Sequence, residues 1–130
     1  MGWMKTLVWR RREIGEGWTD ETPDALVWVC ITSLDTAWRV SEDYVGEAGH
    51  GSLHGDRYSK VGRWLESAKF VDVPVLCLDE DGVPSFTDGR HRFAWLRDHG
   101  LRSLPIEVPF GQSKVFEARF GTVERVGSIL

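Results

Sequence analysis

Three consecutive basic side chains, Arg90, His91 and Arg92, follow Gly89 at the point where the sequence predicts that a helix begins. The N-terminus of a helix already carries about half a positive elementary charge and several unpaired N–H donors, so cations placed there are repelled. A bound anion would relieve this repulsion, because backbone N–H groups and guanidinium groups would converge on it. We therefore predict that residues 88–92 bind a phosphate-like group.

A purely structural interpretation of the same residues stays open. Asp88 would be the N-cap of the helix, Gly89 would allow the chain to turn, and the basic side chains would extend into solvent. Each cation would then cost roughly a few tenths of a kcal/mol against the helix dipole. The next residues, 93–96, are bulky or apolar and cover most of the helix circumference at about 100° per residue. Burial of that kind would fix the first turn, which favours the anion-binding interpretation.

Two of these side chains could support a reaction at phosphorus, which requires stabilisation of charge together with a general base or a metal ion. His91 is the candidate for proton transfer, and Asp88 is the candidate for holding Mg²⁺ alongside bound phosphates. The structural alternatives are a hydrogen bond from His91 to neighbouring backbone and the N-cap role of Asp88. We expect the acidic residues 79–81 to form a solvated turn, and we predict no metal site built from protein ligands alone.

A glycine-rich segment, 46–55, contains His50 and His54 and is predicted to be a mobile surface loop. Two histidines four residues apart could bind zinc if they lay on a helix, but the glycines at 49, 51 and 55 disfavour a helix. A loop of this kind could close over bound phosphate as a lid.

Helical periodicity begins at Asp56, which is the predicted N-cap. One face of this helix is predicted to carry Arg57, Val61, Trp64, Leu65 and Ala68. Arg57 is the charged member of an otherwise apolar face, and two interpretations of it stay open. Its side chain could extend along its neighbours into solvent, or it could point into the same cavity as Arg90 and Arg92.

Short apolar runs and turn-forming residues predict the remaining elements. We expect strands at 6–9, 25–31, 73–78, 83–87 and 104–108, a single capped helical turn at 41–44, a hairpin turn at 79–82, a helix at 90–99 ended by Gly100, and a helix through 116–120 closed by Gly121. Together they predict an α+β fold, in which helices pack on a small mixed sheet.

Composition limits the class of protein. A chain of 130 residues is enough for one domain, predicted to span 1–130. The net charge of -4 and the isoelectric point of about 5.5 argue against a dedicated nucleic-acid-binding protein, although they allow a local basic patch. The 7 Trp are predicted to lie in the core or along a groove, and exposed ones would indicate a protein partner.

Cys30 and Cys77 lie in strand-like runs and are predicted to be buried free thiols, which suits a reducing compartment. No stretch has the length of a transmembrane helix or the order of a secretory signal. We therefore expect a cytoplasmic protein with no membrane partner.

The segment 74–108 resembles the core of the ParB and sulfiredoxin-like superfamily. It contains a strand, an acidic glycine turn, the sequence Phe-Thr-Asp-Gly-Arg-His-Arg-Phe-Ala-Trp-Leu and a Pro-Ile-Glu-Val strand. Within the superfamily, residues 88–94 together with Arg57 and Tyr58 are most similar to plasmid fertility inhibition factor-like proteins. The resemblance implies a ParB/sulfiredoxin-like version of the predicted α+β fold.

The resemblance also implies a function. Members of the superfamily hold nucleotide phosphates at the corresponding turn and helix start, which implies that Gly89, Arg90, His91 and Arg92, joined by Arg57, bind ATP or CTP with Mg²⁺. Arg90 stands where sulfiredoxins carry their reactive cysteine, so reductase chemistry is not expected. These 130 residues leave no room for the DNA-binding and dimerisation regions that follow this domain in ParB proteins, so ParB-type partition activity is not expected.

The resemblance to fertility inhibition proteins implies action on transferred DNA, with nuclease or ATPase activity. The alternative is a non-catalytic module that is gated by a nucleotide or contacts a protein partner. Both interpretations stay open at this point.

Overall fold

The computed structural model describes residues 6–11 and 23–130. Four helices have the bounds Ile31–Trp38 (α1), Gly55–Leu65 (α2), Arg90–Asp98 (α3) and Ser113–Phe120 (α4) in these ranges. The strands are Val8–Arg10 (β1), Ala25–Cys30 (β2), Val71–Asp72 (β3), Val75–Leu78 (β4), Pro84–Asp88 (β5), Ser103–Val108 (β6) and Ser128–Ile129 (β7). In the described part of the chain, short 3₁₀ helices lie at Glu47–Gly49 and Phe110–Gln112.

The strands form two small sheets. The larger sheet has the order β2-β6-β4-β5, with antiparallel pairs at both edges and a parallel contact between β4 and β6 in its centre. The smaller sheet has the order β3-β1-β7, and its strands are parallel. The predicted α+β class, a small mixed sheet with packed helices, is therefore confirmed.

Aromatic side chains dominate the core. Trp38 and Phe93 are fully buried, and the Trp38 ring lies edge-on against Phe93, Phe86 and Tyr44 with centroids 5.5, 4.6 and 4.7 Å away. The indole N–H of Trp38 donates to the Asp43 carboxylate at 2.7 Å, which satisfies its one polar atom. Edge-to-face packing of this kind stabilises aromatic pairs beyond the burial of their area.

The first helix was missed by the sequence prediction. We expected a strand through Ile31 and a helical turn at 41–44, but the helix occupies Ile31–Trp38 and residues 41–43 form a turn. Ile31, Leu34, Asp35 and Trp38 are its buried residues, at the spacing of one helical face. The turn is fixed because the Asp43 carboxylate also accepts a hydrogen bond from the Phe86 N–H at 2.7 Å. This bond pairs an N–H group on the open edge of β5.

The predicted strand at 73–78 is shorter than expected. Only Val75–Leu78 belongs to the larger sheet, and the chain before it forms β3 in the smaller sheet. The Val73 N–H donates to the backbone carbonyl of Arg10 at 2.9 Å, in the smaller sheet. The backbone carbonyl of Pro74 accepts from the backbone N–H of Glu107 at 2.9 Å, in the larger sheet. The hydrogen-bond partners therefore change sheets at Pro74, which has no N–H of its own.

Other predicted elements agree with the structure. The turn at 79–82 joins β4 to β5, Gly100 follows α3 with a φ of 88°, and α4 ends immediately before Gly121. β7 had no counterpart among the predicted elements. Both cysteines are free thiols as predicted, but they are half-buried rather than buried. Within the described ranges no helix is long and apolar enough to cross a membrane.

The N-cap position of helix α2 is His54, two residues before the predicted N-cap. Asp56 is therefore not the N-cap but lies in the first turn, where it pairs with Lys60 at 3.4 Å. The packed face is also shifted. Gly62 and Leu65 are buried, whereas Arg57 and Trp64 are exposed and Ala68 lies beyond the helix end.

The position of α2 depends on the small size of Gly62. A Cβ atom placed there would overlap the Trp95 indole of α3. Only a residue without a side chain therefore allows α2 and α3 to approach this closely.

We expect Gly62→Ala to lower the free energy of unfolding by about 1–2 kcal/mol. An overlap this severe with the Trp95 indole costs about 2–3 kcal/mol, the upper part of the range for overpacking, and only roughly 1 kcal/mol is gained in helix propensity. Urea unfolding would measure this change in the free energy of unfolding. Ser59→Ala, on the exposed face of the same helix, is the control and should change stability little. Equal or higher stability of Gly62→Ala would contradict the close packing of the two helices.

Candidate functional site

An open cleft of about 330 Å³ lies between α2 and the segment that joins β5 to α3. Every residue predicted to bind phosphate or to act in catalysis lines it, namely Arg57, Asp88, Gly89, Arg90, His91 and Arg92. The lining also includes Lys60, Val61, Phe86 and Thr87. Arg57 lines the same cleft as Arg90 and Arg92, and it is exposed to solvent there.

Gly89 determines how the chain enters α3. It occupies the N-cap position with a φ of 91°, in the left-handed region that favours glycine. A Cβ atom there would lie 2.7 Å from Nη2 of Arg92 and 3.1 Å from Cβ of Pro74. The backbone conformation therefore favours glycine, and a larger residue would also displace the Arg92 side chain that crosses the turn.

The predicted N-cap role of Asp88 is wrong. No side chain of the described residues caps α3. Asp88 is the last residue of β5, and its carboxylate lies 3.3 Å from Nη2 of Arg92. The left-handed Gly89 turns the chain between them, so the carboxylate bonds a side chain instead of the first-turn backbone. The N–H groups of residues 90–92 therefore have no helical acceptor, and no side chain in ranges 6–11 and 23–130 caps them.

The two arginines of the cluster are held in place by the protein. Arg92 is only 15% exposed, and its Nε donates to the Asp72 carbonyl at 3.1 Å in addition to the Asp88 contact. Arg90 donates from Nη1 to the Asp43 carbonyl at 3.3 Å. Because a guanidinium has five N–H donors, both side chains retain donors for a ligand.

The cleft is strongly cationic in an acidic protein. Arg57, Lys60, Arg90 and Arg92 face a single lining carboxylate, that of Asp88, among the residues that the structure describes. Lys60 was missed by the sequence prediction, although its position three residues after Arg57 places it on the same side of α2. Its pairing with Asp56 is between exposed side chains and is worth little.

His91 is the most buried of the basic side chains, at 7% exposure. Its Nε2 lies 2.9 Å from the Ser52 hydroxyl oxygen, so its partner is a side chain rather than neighbouring backbone. Burial, followed by the charges of Arg90 and Arg57, holds the pKa of His91 below its usual value. The imidazole is therefore mainly neutral at neutral pH, and its tautomer sets whether Nε2 donates to the Ser52 hydroxyl or accepts from it.

The glycine-rich loop is attached to α3 at two points. Ser52 contacts His91 near the start of the helix, and the Ala48 N–H donates to the Asp98 carboxylate at 3.0 Å near its end. Asp98 also accepts from the Tyr58 hydroxyl at 2.6 Å. The loop is thus confirmed as a loop with one short 3₁₀ helix, while its mobility stays a prediction.

His50 and His54 are exposed on this loop. Across residues 6–11 and 23–130, no group of three or more His, Cys, Asp or Glu side chains is placed to hold a metal ion. Ser52 is the loop residue that sequence reasoning missed, because nothing in its local pattern indicates a contact with a residue 39 positions away.

A buried ion cluster fixes the far end of α3. Arg97 donates to the Asp35 carboxylate of α1 at 2.9 Å, to the Asp98 carboxylate at 2.9 Å and to the Val45 carbonyl at 2.7 Å. These contacts join α1, the residue before the glycine-rich loop, and α3. The cluster therefore holds the scaffold behind the cleft rather than the cleft itself.

The sequence matches a known protein family over most of its length. Residues 26–121 match the family described as plasmid fertility inhibition factor. The matched range contains α2, β5 and α3, and so it contains the whole lining of the cleft. The chain belongs to the plasmid fertility inhibition factor family.

A solved structure supports the fold. It is the crystal structure of a gold(I) cyanide derivative of oncogenic suppression activity protein, a plasmid fertility inhibition factor. The two structures align with a TM-score of 0.59 and 19% sequence identity, over 78% of this chain and 58% of that one. This chain therefore spans little more than half of the length of that protein. No curated protein matches the sequence.

The lowered pKa of His91 predicts a pH dependence of stability. The unfolded chain, in which histidine has a pKa of about 6.5, binds the proton before the folded protein does, so stability rises with pH across this range. Lowering the pH from about 7.5 to about 5.5 should therefore reduce the free energy of unfolding more in the wild type than in His91→Gln. Urea unfolding at both pH values measures the difference, and an equal loss in the two proteins would contradict the lowered pKa.

Proposed function

We propose that the cleft between α2 and α3 binds the phosphate groups of a nucleotide, ATP or CTP, or of nucleic acid, and that the protein acts on or regulates DNA through this site. The observation that carries the proposal is the convergence of four cationic side chains on the uncapped first turn of α3 in a chain of net charge -4. Membership in the plasmid fertility inhibition factor family supports DNA as the context.

The backbone and the side chains contribute together to such a site. The N–H groups of residues 90–92 supply donors at the positive end of the helix dipole, and the arginines supply charge-assisted hydrogen bonds. Arg92 is already held by Asp72 and Asp88, so little side-chain freedom is lost when a ligand binds.

Mg²⁺ fits this site only together with the phosphates. Asp88 is the one carboxylate among the described lining residues, and it contacts Arg92. Mg²⁺ commonly binds through one or two carboxylates plus phosphate oxygens and water, and Asp88 would provide that single protein ligand. A phosphate that takes over the contact with Arg92 would leave the Asp88 carboxylate available.

Turnover is a second candidate function, and the state of His91 favours it. A neutral imidazole that lines the cleft can accept a proton from a water molecule as the water oxygen attacks phosphorus and the bond to the leaving oxygen breaks. Nucleotide hydrolysis and DNA cleavage both fit this scheme. Without turnover, the same cleft would serve a non-catalytic module gated by a nucleotide or presented to a protein partner.

We expect Arg92→Ala to weaken the binding of ATP or CTP by roughly 1.5–3 kcal/mol, because a charge-assisted contact is lost. Isothermal titration calorimetry measures the affinity. Arg57→Ala, at an exposed position, should also weaken binding and tests the site without disturbing the Asp72 and Asp88 contacts.

Arg63→Ala is the matched control, because it removes the same charge from α2 outside the cleft. The affinity of this variant for ATP or CTP should stay within about twofold of that of the wild type at physiological salt, where distant exposed charges are screened. If the wild type binds neither nucleotide nor single-stranded DNA at low salt, the proposal fails.

For turnover, we expect the purified protein to release phosphate from a nucleotide or to nick plasmid DNA in the presence of Mg²⁺. His91→Gln should reduce the rate by about 100-fold or more, since loss of a general base typically costs that much. His50→Gln, at an exposed position outside the cleft, is the control and should retain the wild-type rate. An unchanged rate in His91→Gln would exclude His91 as the base.

A further inference from the structure

Trp64 differs from the tryptophans of the core. Its side chain is 45% exposed on α2, whereas Trp9, Trp38 and Trp95 are buried. An exposed indole on a helix that also lines a cationic cleft has a large apolar face available to a ligand. The sequence prediction placed Trp64 on the apolar face of the helix, and its exposure is a correction that the structure supplies.

Trp64 is not one of the residues that line the cleft, but the geometry of α2 directs it to the same side of the helix as the lining residues. At about 100° per residue, residue 64 points within roughly 20° of the direction of Arg57. That direction lies between those of Lys60 and Val61, and both of these residues line the cleft. Residue 64 lies two turns after residue 57, or about 10 Å along the helix axis.

The cleft-facing side of α2 therefore has two chemically different ends. The end near Arg57 adjoins the basic side chains of α3 and suits phosphate groups, and the end at Trp64 offers an exposed aromatic face. A ligand that matches both ends carries an anionic group and, several ångströms away, a flat ring. A nucleotide unit has this combination, and inorganic phosphate does not.

We propose that Trp64 stacks against the base of the nucleotide unit whose phosphate groups lie in the cleft. This inference rests on the proposed function and deepens it, because it assigns a base-binding residue. Stacking on an aromatic side chain tolerates every base, since each base has a π-face. Trp64 therefore distinguishes nucleotides from other phosphate compounds rather than one base from another.

The test compares ATP with tripolyphosphate, which carries the phosphate groups without a ring. We expect Trp64→Ala to weaken ATP binding by about 5- to 20-fold, in line with the loss of one base stack, and to leave tripolyphosphate binding within about twofold. Trp64→Phe keeps an aromatic face and should recover most of the ATP affinity. Calorimetry on the full chain measures all three proteins, and thermal unfolding checks that each is folded.

Phe110→Ala is the matched control, because Phe110 is an aromatic residue that is 62% exposed and lies outside the cleft. This variant should bind both compounds as the wild type does. A second measurement follows tryptophan fluorescence. ATP should quench the wild-type emission more than that of Trp64→Phe, and a purely structural role for Trp64 would not produce that difference.

Three results would overturn the inference, and they differ from one another. Unchanged ATP affinity in Trp64→Ala, with weaker binding in Arg57→Ala, would remove the base stack and leave the phosphate site intact. Equal losses for ATP and tripolyphosphate would show that Trp64 supports the cleft structurally. Absence of binding of either compound, and of a single-stranded dT oligonucleotide, to the wild type would remove the proposed function and the inference together.

The oligonucleotide also identifies the source of the stacked base. A larger loss for the dT oligonucleotide than for ATP in Trp64→Ala would assign the base to a DNA strand, and a larger loss for ATP would assign it to a free nucleotide. Either result supports stacking on Trp64.

Discussion

Helix α3 is buried on most of its circumference, and the position of the cleft depends on that burial. Phe93, Ala94 and Leu96 are fully buried, and the Phe93 ring packs against Trp38 and Phe86. A helix held in this way cannot move to separate the like charges at its first turn. Its cations must therefore share a small volume, where the protein supplies few acceptors and an anion would supply the rest.

The same helix connects the cleft to the rest of the scaffold. The glycine-rich loop contacts His91 at one end of α3 and Asp98 at the other, and Arg97 joins the helix to α1. A change at the first turn, such as a ligand that neutralises the charges around His91, would act directly on the residue that holds the loop. His91 thus belongs both to the lining of the cleft and to a contact that holds the loop.

Much of the fold could be predicted from the sequence where local pattern and tertiary packing agree. The strands β2, β5 and β6, the hairpin turn and the ends of α3 and α4 follow from apolar runs and glycine positions. Helix α1 was missed because its first residues, 31 and 32, are β-branched and continue the strand pattern of β2. One continuous domain over 1–130, a ParB/sulfiredoxin-like topology, a protein partner and a cytoplasmic location stay predictions.

The chemistry of the candidate site can be predicted from local sequence, because Gly89 and the three basic residues after it are contiguous and meet at one helix start. The surroundings of that cluster depend on long-range packing. Arg57 and Lys60 reach it because Gly62 lets α2 approach α3, and Ser52 reaches His91 because the loop folds back onto the helix. Contacts between segments so distant along the chain depend on packing, and no local periodicity encodes them.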